Sequence, residues 1–195
     1  RRQRQMCIRD RFNLMLIDHL SIIGVGLIGG SLARALRKAK LVGRITACNR
    51  SEATLKKAIK LGVIDDYSLN ISEAVKGADV IIIGTPLSVS EKILPEIADS
   101  ISANAVLTDV GSVKGGIVSK ARETLAEKIS NFVPGHPIAG TEKNGVEASI
   151  ENLFVGHRVI LTPLKETSLK AHKLITQMWE SVGAEVVNLD VEHHD

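Results

Sequence analysis

His136 has the sequence setting best suited to acid–base chemistry. It follows the apolar pair Phe132–Val133 and stands directly before Pro137. Open α/β sheets bind ligands beyond the carboxyl ends of their strands, and a following proline restricts a residue to extended conformations. An imidazole with a pKa near 6.5 accepts a hydroxyl proton at neutral pH while a hydride leaves the same carbon. We therefore expect His136 to lie in a loop and to serve in alcohol oxidation, although a purely structural histidine fits the residue type equally well.

The other histidines offer less chemistry. His19 is expected before the first strand, His157 in a turn, and His172 on the polar side of a helix. The run His193–Asp195 contains metal-ligand residue types, but adjacent positions on a helix point to different faces. We therefore expect no metal site.

A second stretch, Ser21–Ala33, has the pattern of a dinucleotide-binding turn, in which an apolar strand end, a G-x-G-x-x-G spacing and an amphipathic helix follow one another. Gly24 permits the tight turn, Gly26 lets the backbone approach a pyrophosphate, and Gly29 lets the helix pack closely on its strand. A structural glycine turn or a methyltransferase loop shares the spacing, but the flanking strand and helix favour a phosphate cradle. The expected pyrophosphate contacts are Gly24, Gly26, Leu27, Ile28 and Gly29.

The residues after the second predicted strand, Arg44–Cys48, bear on cofactor choice. An acidic side chain there would bond the ribose hydroxyls of NAD and repel a 2′-phosphate. This sequence has the neutral Asn49, followed by Arg50 and the hydroxyl of Ser51. We therefore favour NADP over NAD. The alternative, in which Ser51 only caps the next helix and Arg50 faces solvent, leaves NAD open.

Short apolar strands alternate with amphipathic helices along the chain. This alternation, with no repeat or low-complexity linker, predicts an α/β fold with a doubly wound parallel sheet of the Rossmann type. Thr85 and Pro86 follow one buried strand and are expected to keep the backbone close to the cofactor, while Pro95 is expected to kink or restart the next helix. Beyond the first two, the predicted strands are Asp65–Tyr67, Asp79–Ile83, Ala105–Thr108, Phe132–Val133, Arg158–Leu161 and Glu185–Asn188.

Composition excludes several classes of protein. Residues 1–11 contain five arginines and one aspartate, a net charge of +4, whereas the remaining residues include 20 basic and 21 acidic side chains. A chain without a basic face is not expected to bind nucleic acid. Cys7 and Cys48 have no redox or metal-ligand spacing, and Cys48 is expected in the core. No apolar run approaches the roughly 18 residues of a membrane helix, and no secretion leader is recognisable, so we expect a cytoplasmic protein.

Three motifs stand in a fixed order: GLIGGSLA (26–33), TDVGSVKG (108–115) and GHPIAGTEKNGVEA (135–148). In this order and spacing the sequence resembles the prephenate/arogenate dehydrogenase family of tyrosine biosynthesis. The resemblance extends from about His19 to the last residue and includes ILTP (160–163) and the closing EHHD (192–195).

The resemblance implies roles for individual residues. His136 would hydrogen-bond the ring hydroxyl of the substrate and accept its proton. Ser112 would orient His136 and touch both nicotinamide and substrate, while Thr141 and Glu142 would shape the substrate pocket. The implied reaction is an oxidative decarboxylation, in which hydride passes from the hydroxyl-bearing ring carbon to the nicotinamide and the ring carboxylate leaves as CO2.

The resemblance also implies a domain organisation. Residues 12–190 would be the dinucleotide-binding domain and 191–195 the start of a helical domain that the chain lacks. Residues 1–11 lie outside the resemblance, and because they show no hydrophobic period we expect a non-native leader or, alternatively, a disordered basic arm. In relatives that helical domain supplies a homodimer interface and a carboxylate-binding arginine, so we expect nucleotide binding with poor or no turnover. We also expect exposed apolar area at the sheet edge or on the surface near Glu192. Two alternatives remain: a β-hydroxyacid-type dehydrogenase, which GHPIAGTE disfavours, and a non-catalytic nucleotide-sensing module.

Overall fold

The alternation of apolar strands and amphipathic helices builds a six-stranded parallel sheet in the order β3-β2-β1-β4-β5-β6. A computed structural model describes residues 15–195. The strands of this main sheet are β1 (Ile17–Ile23), β2 (Val42–Cys48), β3 (Asp66–Ser68), β4 (Val80–Ile83), β5 (Val106–Asp109) and β6 (Phe132–Val133). The strand order reverses next to β1, which confirms the doubly wound fold and places a ligand crevice at the carboxyl ends of β1 and β4.

Helices connect the strands and cover both faces of the sheet. The side chains of Ser51, Asn70 and Ser168 cap three of them by accepting a hydrogen bond from a first-turn N–H. The helices are α1 (Leu27–Lys38), α2 (Glu52–Lys60), α3 (Ile71–Val75), α4 (Leu87–Ser100), α5 (Gly115–Thr124), α6 (Leu169–Ser181) and α7 (Val191–His194), with 3₁₀ turns at Ala126–Asn131 and Val146–Ala148.

A second sheet holds the strand that carries His136. It has the order β7-β8-β9, in which β7 (Gly135–Pro137) pairs antiparallel with β8 (Arg158–Leu161), and β8 pairs parallel with β9 (Glu185–Asn188). The last two strands lie where the sequence predicts them, but in this sheet rather than the main one. The predicted loop around His136 is wrong, because the extended backbone favoured by Pro137 completes a strand that pairs His136 with Ile160.

The core lies on both faces of the main sheet, as expected for parallel strands covered by helices. All four residues of β4 are buried. On one face Trp179 is fully buried and meets Phe154 edge to face, with 5.0 Å between ring centroids, so its predicted core position is confirmed. Cys48 is buried as predicted, and burial, aided by the charge of Glu96, raises the pKa of its thiol to about 11. This thiol is therefore protonated at neutral pH.

One further expectation is wrong: His19 lies within β1, paired with Arg44, rather than before the strand. Of the two outcomes expected at Pro95, a restart is excluded because α4 runs without a break from Leu87 to Ser100, and a kink stays a prediction. The predicted leader, residues 1–11, lies outside the described residues. Between residues 15 and 195 no helix is long and apolar enough to cross a membrane.

Candidate active site

The glycine turn is required by close contacts between β1, β4 and α1. Gly24 has a φ of +94°, and a Cβ there would lie 2.8 Å from the backbone of Gly84. A Cβ on Gly29 would lie 2.9 Å from Cγ2 of Ile22. A Cβ on Gly26, by contrast, would meet no atom of the described chain within 4 Å. The first and third glycines therefore serve the fold, and the second leaves open space above the backbone.

The amino end of α1 borders this open space. Gly26 is its N-cap residue, and no side chain caps it within residues 15–195. The intrahelical ladder begins with the N–H of Gly30, which donates to the carbonyl of Gly26 at 2.9 Å. The N–H groups of Leu27, Ile28 and Gly29 therefore lack intrahelical acceptors, and with the helix dipole they suit an anion such as a pyrophosphate.

A continuous crevice runs from the end of β2 to the end of β5. Its first part is lined by the glycine turn, Asn49 and Arg50, and its second part by Asp109 and Ser112. Thr85 and Pro86 line both parts and therefore join them. The predicted cofactor residues brought together here are Gly24, Gly26, Asn49, Arg50, Thr85, Pro86 and Ser112.

The side chains after β2 differ in how they are engaged. Oδ1 of Asn49 accepts a hydrogen bond from the N–H of Arg50 at 2.8 Å. Oγ of Ser51 accepts from the N–H of Thr54 at 3.3 Å, so Ser51 caps α2. Arg50 is exposed, and no carboxylate of the described chain pairs with it. Arg50 is therefore available to an anion at the crevice.

A buried ion pair joins β5 to the strand of His136. Asp109, the last residue of β5, pairs with Lys114, and both side chains are almost fully buried. The carboxylate of Asp109 also accepts from the N–H groups of Gly111 and Gly135, at 2.9 and 3.2 Å. Nζ of Lys114 donates to the carbonyl of Gly135 at 2.8 Å. Both charged groups thus hold the residue that precedes His136 against the end of β5.

Burial sets the electrostatics of this pair. It raises the pKa of Asp109, against the opposing effect of Lys114, and it lowers the pKa of Lys114, against the opposing effect of Asp109. The sequence analysis missed both residues. An acidic residue ending a buried strand, with a lysine shortly after it in a glycine-rich turn, was the available signal.

His136 is half-buried, and a second histidine contacts its ring. Nδ1 of His136 lies 3.0 Å from Nε2 of His194, and the two rings meet edge to face. Burial lowers the pKa of His136 below its ordinary value of 6.5; His194 and Lys114 lower it further, while Asp195 opposes them. The imidazole is therefore neutral at pH 7 and able to accept a proton.

His194 and Asp195 extend this contact to the amino end of α5. Oδ1 of Asp195 lies 2.7 Å from Nδ1 of His194. The same carboxylate accepts from the N–H groups of Lys114 and Gly115, at 2.8 and 2.6 Å. The sequence analysis considered these residues as metal ligands and as part of the closing EHHD, and no local pattern predicts their pairing with His136, because the two histidines are 58 positions apart.

Three predicted substrate residues make no hydrogen bond to His136 in the described part of the chain. Ser112, Thr141 and Glu142 are exposed, and none of them shares a hydrogen bond with His136 within the described chain. Oγ1 of Thr141 bonds the backbone of Lys143 instead. The roles expected of these three side chains stay predictions.

Comparison with known proteins identifies the family. The family model of the prephenate dehydrogenase nucleotide-binding domain matches residues 32–188, which is most of the chain. The chain belongs to the prephenate dehydrogenase family. This assignment confirms the resemblance carried by the glycine, TDVGSVKG and GHPIAG motifs.

Individual members of the prephenate dehydrogenase family cover nearly the whole chain. The cyclohexadienyl dehydrogenase of Zymomonas mobilis is 33% identical over 93% of this chain and 61% of its own length. The prephenate dehydrogenase of Bacillus subtilis is 38% identical over 91% of this chain and 48% of its own length. A structure of prephenate dehydrogenase from A. aeolicus, in complex with hydroxyphenyl propionate and NAD+, superposes with a TM-score of 0.84 at 38% identity, covering 91% of this chain and 61% of that one. The chain thus spans about half to three-fifths of the length of these relatives.

Proposed function

We propose that this chain is the nucleotide-binding part of a cytoplasmic dehydrogenase that oxidatively decarboxylates prephenate, arogenate or both with NAD(P)+. In this proposal residues 12–190 form the dinucleotide-binding domain. One observation carries the proposal: a neutral imidazole, His136, lies on a strand that the buried Asp109–Lys114 pair holds against the end of the cofactor crevice. The complex of the A. aeolicus relative with a hydroxyphenyl ligand and NAD+ supports the same chemistry.

Different residues of the crevice have different roles in this proposal. The amide groups of Leu27, Ile28 and Gly29 hold the pyrophosphate, and Thr85 and Pro86 form the floor along which the dinucleotide extends. When bound, the nicotinamide supplies the hydride acceptor. His136 binds the ring hydroxyl of the substrate and takes its proton as the C–H bond breaks, so that no positive charge develops on the substrate oxygen.

Ser112 completes the proposed catalytic pair. Together with Asp109 it lines the second part of the crevice, where its side chain is accessible to a ligand. Its hydroxyl is proposed to contact nicotinamide and substrate and to orient His136 once both are bound. Thr141 and Glu142, in the exposed loop after β7, are proposed to complete the substrate pocket.

The crevice favours NADP over NAD in our proposal. Arg50 offers a cation that no described carboxylate neutralises, and Asn49 beside it brings no negative charge against a 2′-phosphate. Arg50→Ser should weaken NADP+ binding about tenfold or more and change NAD+ binding little, because only the former loses a charge-assisted hydrogen bond. Calorimetric titration of both cofactors measures this. Arg44→Ser, which removes an arginine near the opposite end of β2, is the matched control, and equal weakening of both cofactors by R50S would contradict the NADP preference.

An apolar strip near the end of the chain supports a helical partner domain. Val187 and Leu189, on and beside the edge strand β9, are 38% and 36% exposed. We propose that 191–195 lead into a helical domain that covers this strip, dimerises and supplies a group for the substrate carboxylate.

Turnover tests the proposed function directly. We expect this chain to bind the cofactor. We expect the full-length protein encoded by its gene to reduce the nicotinamide when it is given prephenate or arogenate with either cofactor. Cofactor binding without reduction on either substrate would support the nucleotide-sensing alternative instead. Reduction with a small β-hydroxyacid, and not with the ring substrates, would support the second alternative, which the GHPIAGTE motif disfavours.

A further inference from the structure

Asp195, His194 and His136 form a chain of hydrogen-bonding groups that leads away from the amino end of α5. Asp195 is fixed at this end because its two carboxylate oxygens accept from consecutive backbone amides, those of Lys114 and Gly115. The side chain of His194 is only 3% exposed and bridges Asp195 and His136 through its two ring nitrogens. Each group in this chain therefore has its hydrogen-bond partner fixed by the fold.

The direction of each hydrogen bond follows from the carboxylate. Burial acts to raise the pKa of Asp195, but the amide donors of Lys114 and Gly115, together with His194, lower it overall. Asp195 is thus ionised at neutral pH and can only accept hydrogen bonds. Nδ1 of His194, which faces this carboxylate, then carries a proton, and in the uncharged form of the ring Nε2 is left as an acceptor. In that form the group facing it, Nδ1 of His136, is the donor, whereas a doubly protonated His194 would reverse this hydrogen bond.

From this order we propose that His194 and Asp195 are positioning residues that hold His136 in its Nδ1–H tautomer, which leaves Nε2 as the nitrogen that accepts the substrate proton. The proposal deepens the proposed function and rests on it for the identity of that proton. When Nε2 takes the proton, His136 becomes an imidazolium, and the negative charge of Asp195, relayed through His194, stabilises it. A carboxylate that orients and stabilises a catalytic imidazole in this way leaves the imidazole as the base.

The charged and titratable groups around His136 agree with this direction. His194 and Lys114 disfavour the protonated ring, and Asp195 favours it. The negative charge of Asp195, at the end of this hydrogen-bonded series farthest from His136, therefore favours one hydrogen-bond direction along both imidazoles. His193, the neighbour of His194, is 78% exposed and bonds Asp190 instead, so it lies outside the chain of groups.

Nitrogen-15 NMR of the imidazole rings tests the proposal on this chain without substrate, at a pH where His136 is neutral. In the wild type we expect the spectrum of His136 to show Nδ1 protonated and Nε2 unprotonated. His194→Leu and Asp195→Ala should each convert this single tautomer into a mixture, because the acceptor that fixes it, or its orienting partner, is gone. Asp195→Asn with its oxygen in the Oδ1 position should keep the wild-type tautomer, because that oxygen accepts from both Lys114 and His194, while its NH2 group loses only the hydrogen bond from the N–H of Gly115. His193→Leu is the matched control and should change nothing.

Two results would overturn the proposal. One is a wild-type His136 that carries its proton on Nε2, a measurement that requires no variant to fold. The other is a His136 tautomer that stays unchanged in both H194L and D195A, with backbone amide spectra showing that the variants are folded. Absence of dehydrogenase activity in the turnover assay, with the expected tautomers present, would refute the proposed function and leave the positioning roles of His194 and Asp195 intact.

Discussion

The two halves of the candidate site are built in different ways. The cofactor half depends on one short stretch, Gly24–Gly29, whose backbone makes the turn and offers its N–H groups. The half around His136 depends on side chains from distant parts of the chain, since His194 lies 58 positions away from His136 and Asp195 lies 81 positions away from Lys114. A site made of backbone tolerates changes in its neighbours, whereas a site made of mutually dependent side chains is sensitive to the loss of any one of them.

Replacing the base should give the largest effect and separate the two halves. His136→Asn removes the proton acceptor and should lower turnover by about 10² to 10⁴. The dissociation constant for the cofactor should stay nearly unchanged, because the glycine turn is untouched. Initial rates of nicotinamide reduction in the active enzyme, with calorimetric cofactor titration beside them, measure both. Normal turnover by H136N would show that another group takes the proton.

The ion pair beneath the base should give the next largest effect, on stability. Lys114→Met leaves the carboxylate of Asp109 buried without its partner and should lower the free energy of unfolding by about 3–5 kcal/mol. Urea denaturation measures the loss. Lys120→Met, on the helix that begins directly after Lys114, removes a more exposed ion pair and should cost about 1 kcal/mol or less of unfolding free energy. If K114M and K120M lower the free energy of unfolding by the same amount, the Asp109–Lys114 pair does not hold the strand of His136.

Two glycines of one turn should respond differently. Gly24→Ala forces a side chain into a φ of +94° and against the backbone of Gly84, and should cost about 1–3 kcal/mol of stability. Gly26→Ala meets no atom of the described protein and should leave stability within about 0.5 kcal/mol. It should nevertheless weaken cofactor binding about tenfold or more, because the new methyl group occupies the place of the pyrophosphate. If G24A and G26A lowered stability by the same amount, Gly24 would not be required for the fold any more than Gly26 is.

The pH profile should show the smallest effect. Because burial lowers the pKa of His136, kcat/KM should be constant near neutral pH and fall only as the pH drops below 6.5. The folded state also disfavours protonation of His136, so the unfolded chain binds more protons in that range and stability falls in the same direction. Values of kcat/KM measured below pH 6.5 locate the acid limb, the part of the profile in which kcat/KM falls with falling pH. An acid limb above 6.5 would mean that the site stabilises the imidazolium rather than the neutral ring.

The elements that local patterns determine were predictable. The G-x-G-x-x-G spacing located the crevice, and the uniformly apolar β4 indicated a parallel strand covered on both faces. The second sheet was not predictable, because β7 has only three residues and is a strand only through its pairing with β8. Pro95 shows a related limit: α4 is continuous through it, although proline locally favours a break in a helix.

The partners of the base were unpredictable for the same reason. His136 was identified from its own neighbours, but the pairing with His194 depends on α7 returning to the start of α5, which no periodicity encodes. Asp109 and Lys114 lie within one motif, yet their importance comes from Gly135, to which both bind. Local spacing therefore marks candidate site residues, but not the distant residues that contact them.

The division into two sheets has a mechanical consequence. The glycine turn belongs to the main sheet and His136 to the smaller one, so any sliding of one sheet against the other would change the distance between the proposed cofactor site and the proposed base. The Asp109–Lys114 pair lies on the side of the main sheet and bonds Gly135 of the smaller one, so we expect it to resist such sliding and to limit how far the imidazole can move relative to the crevice.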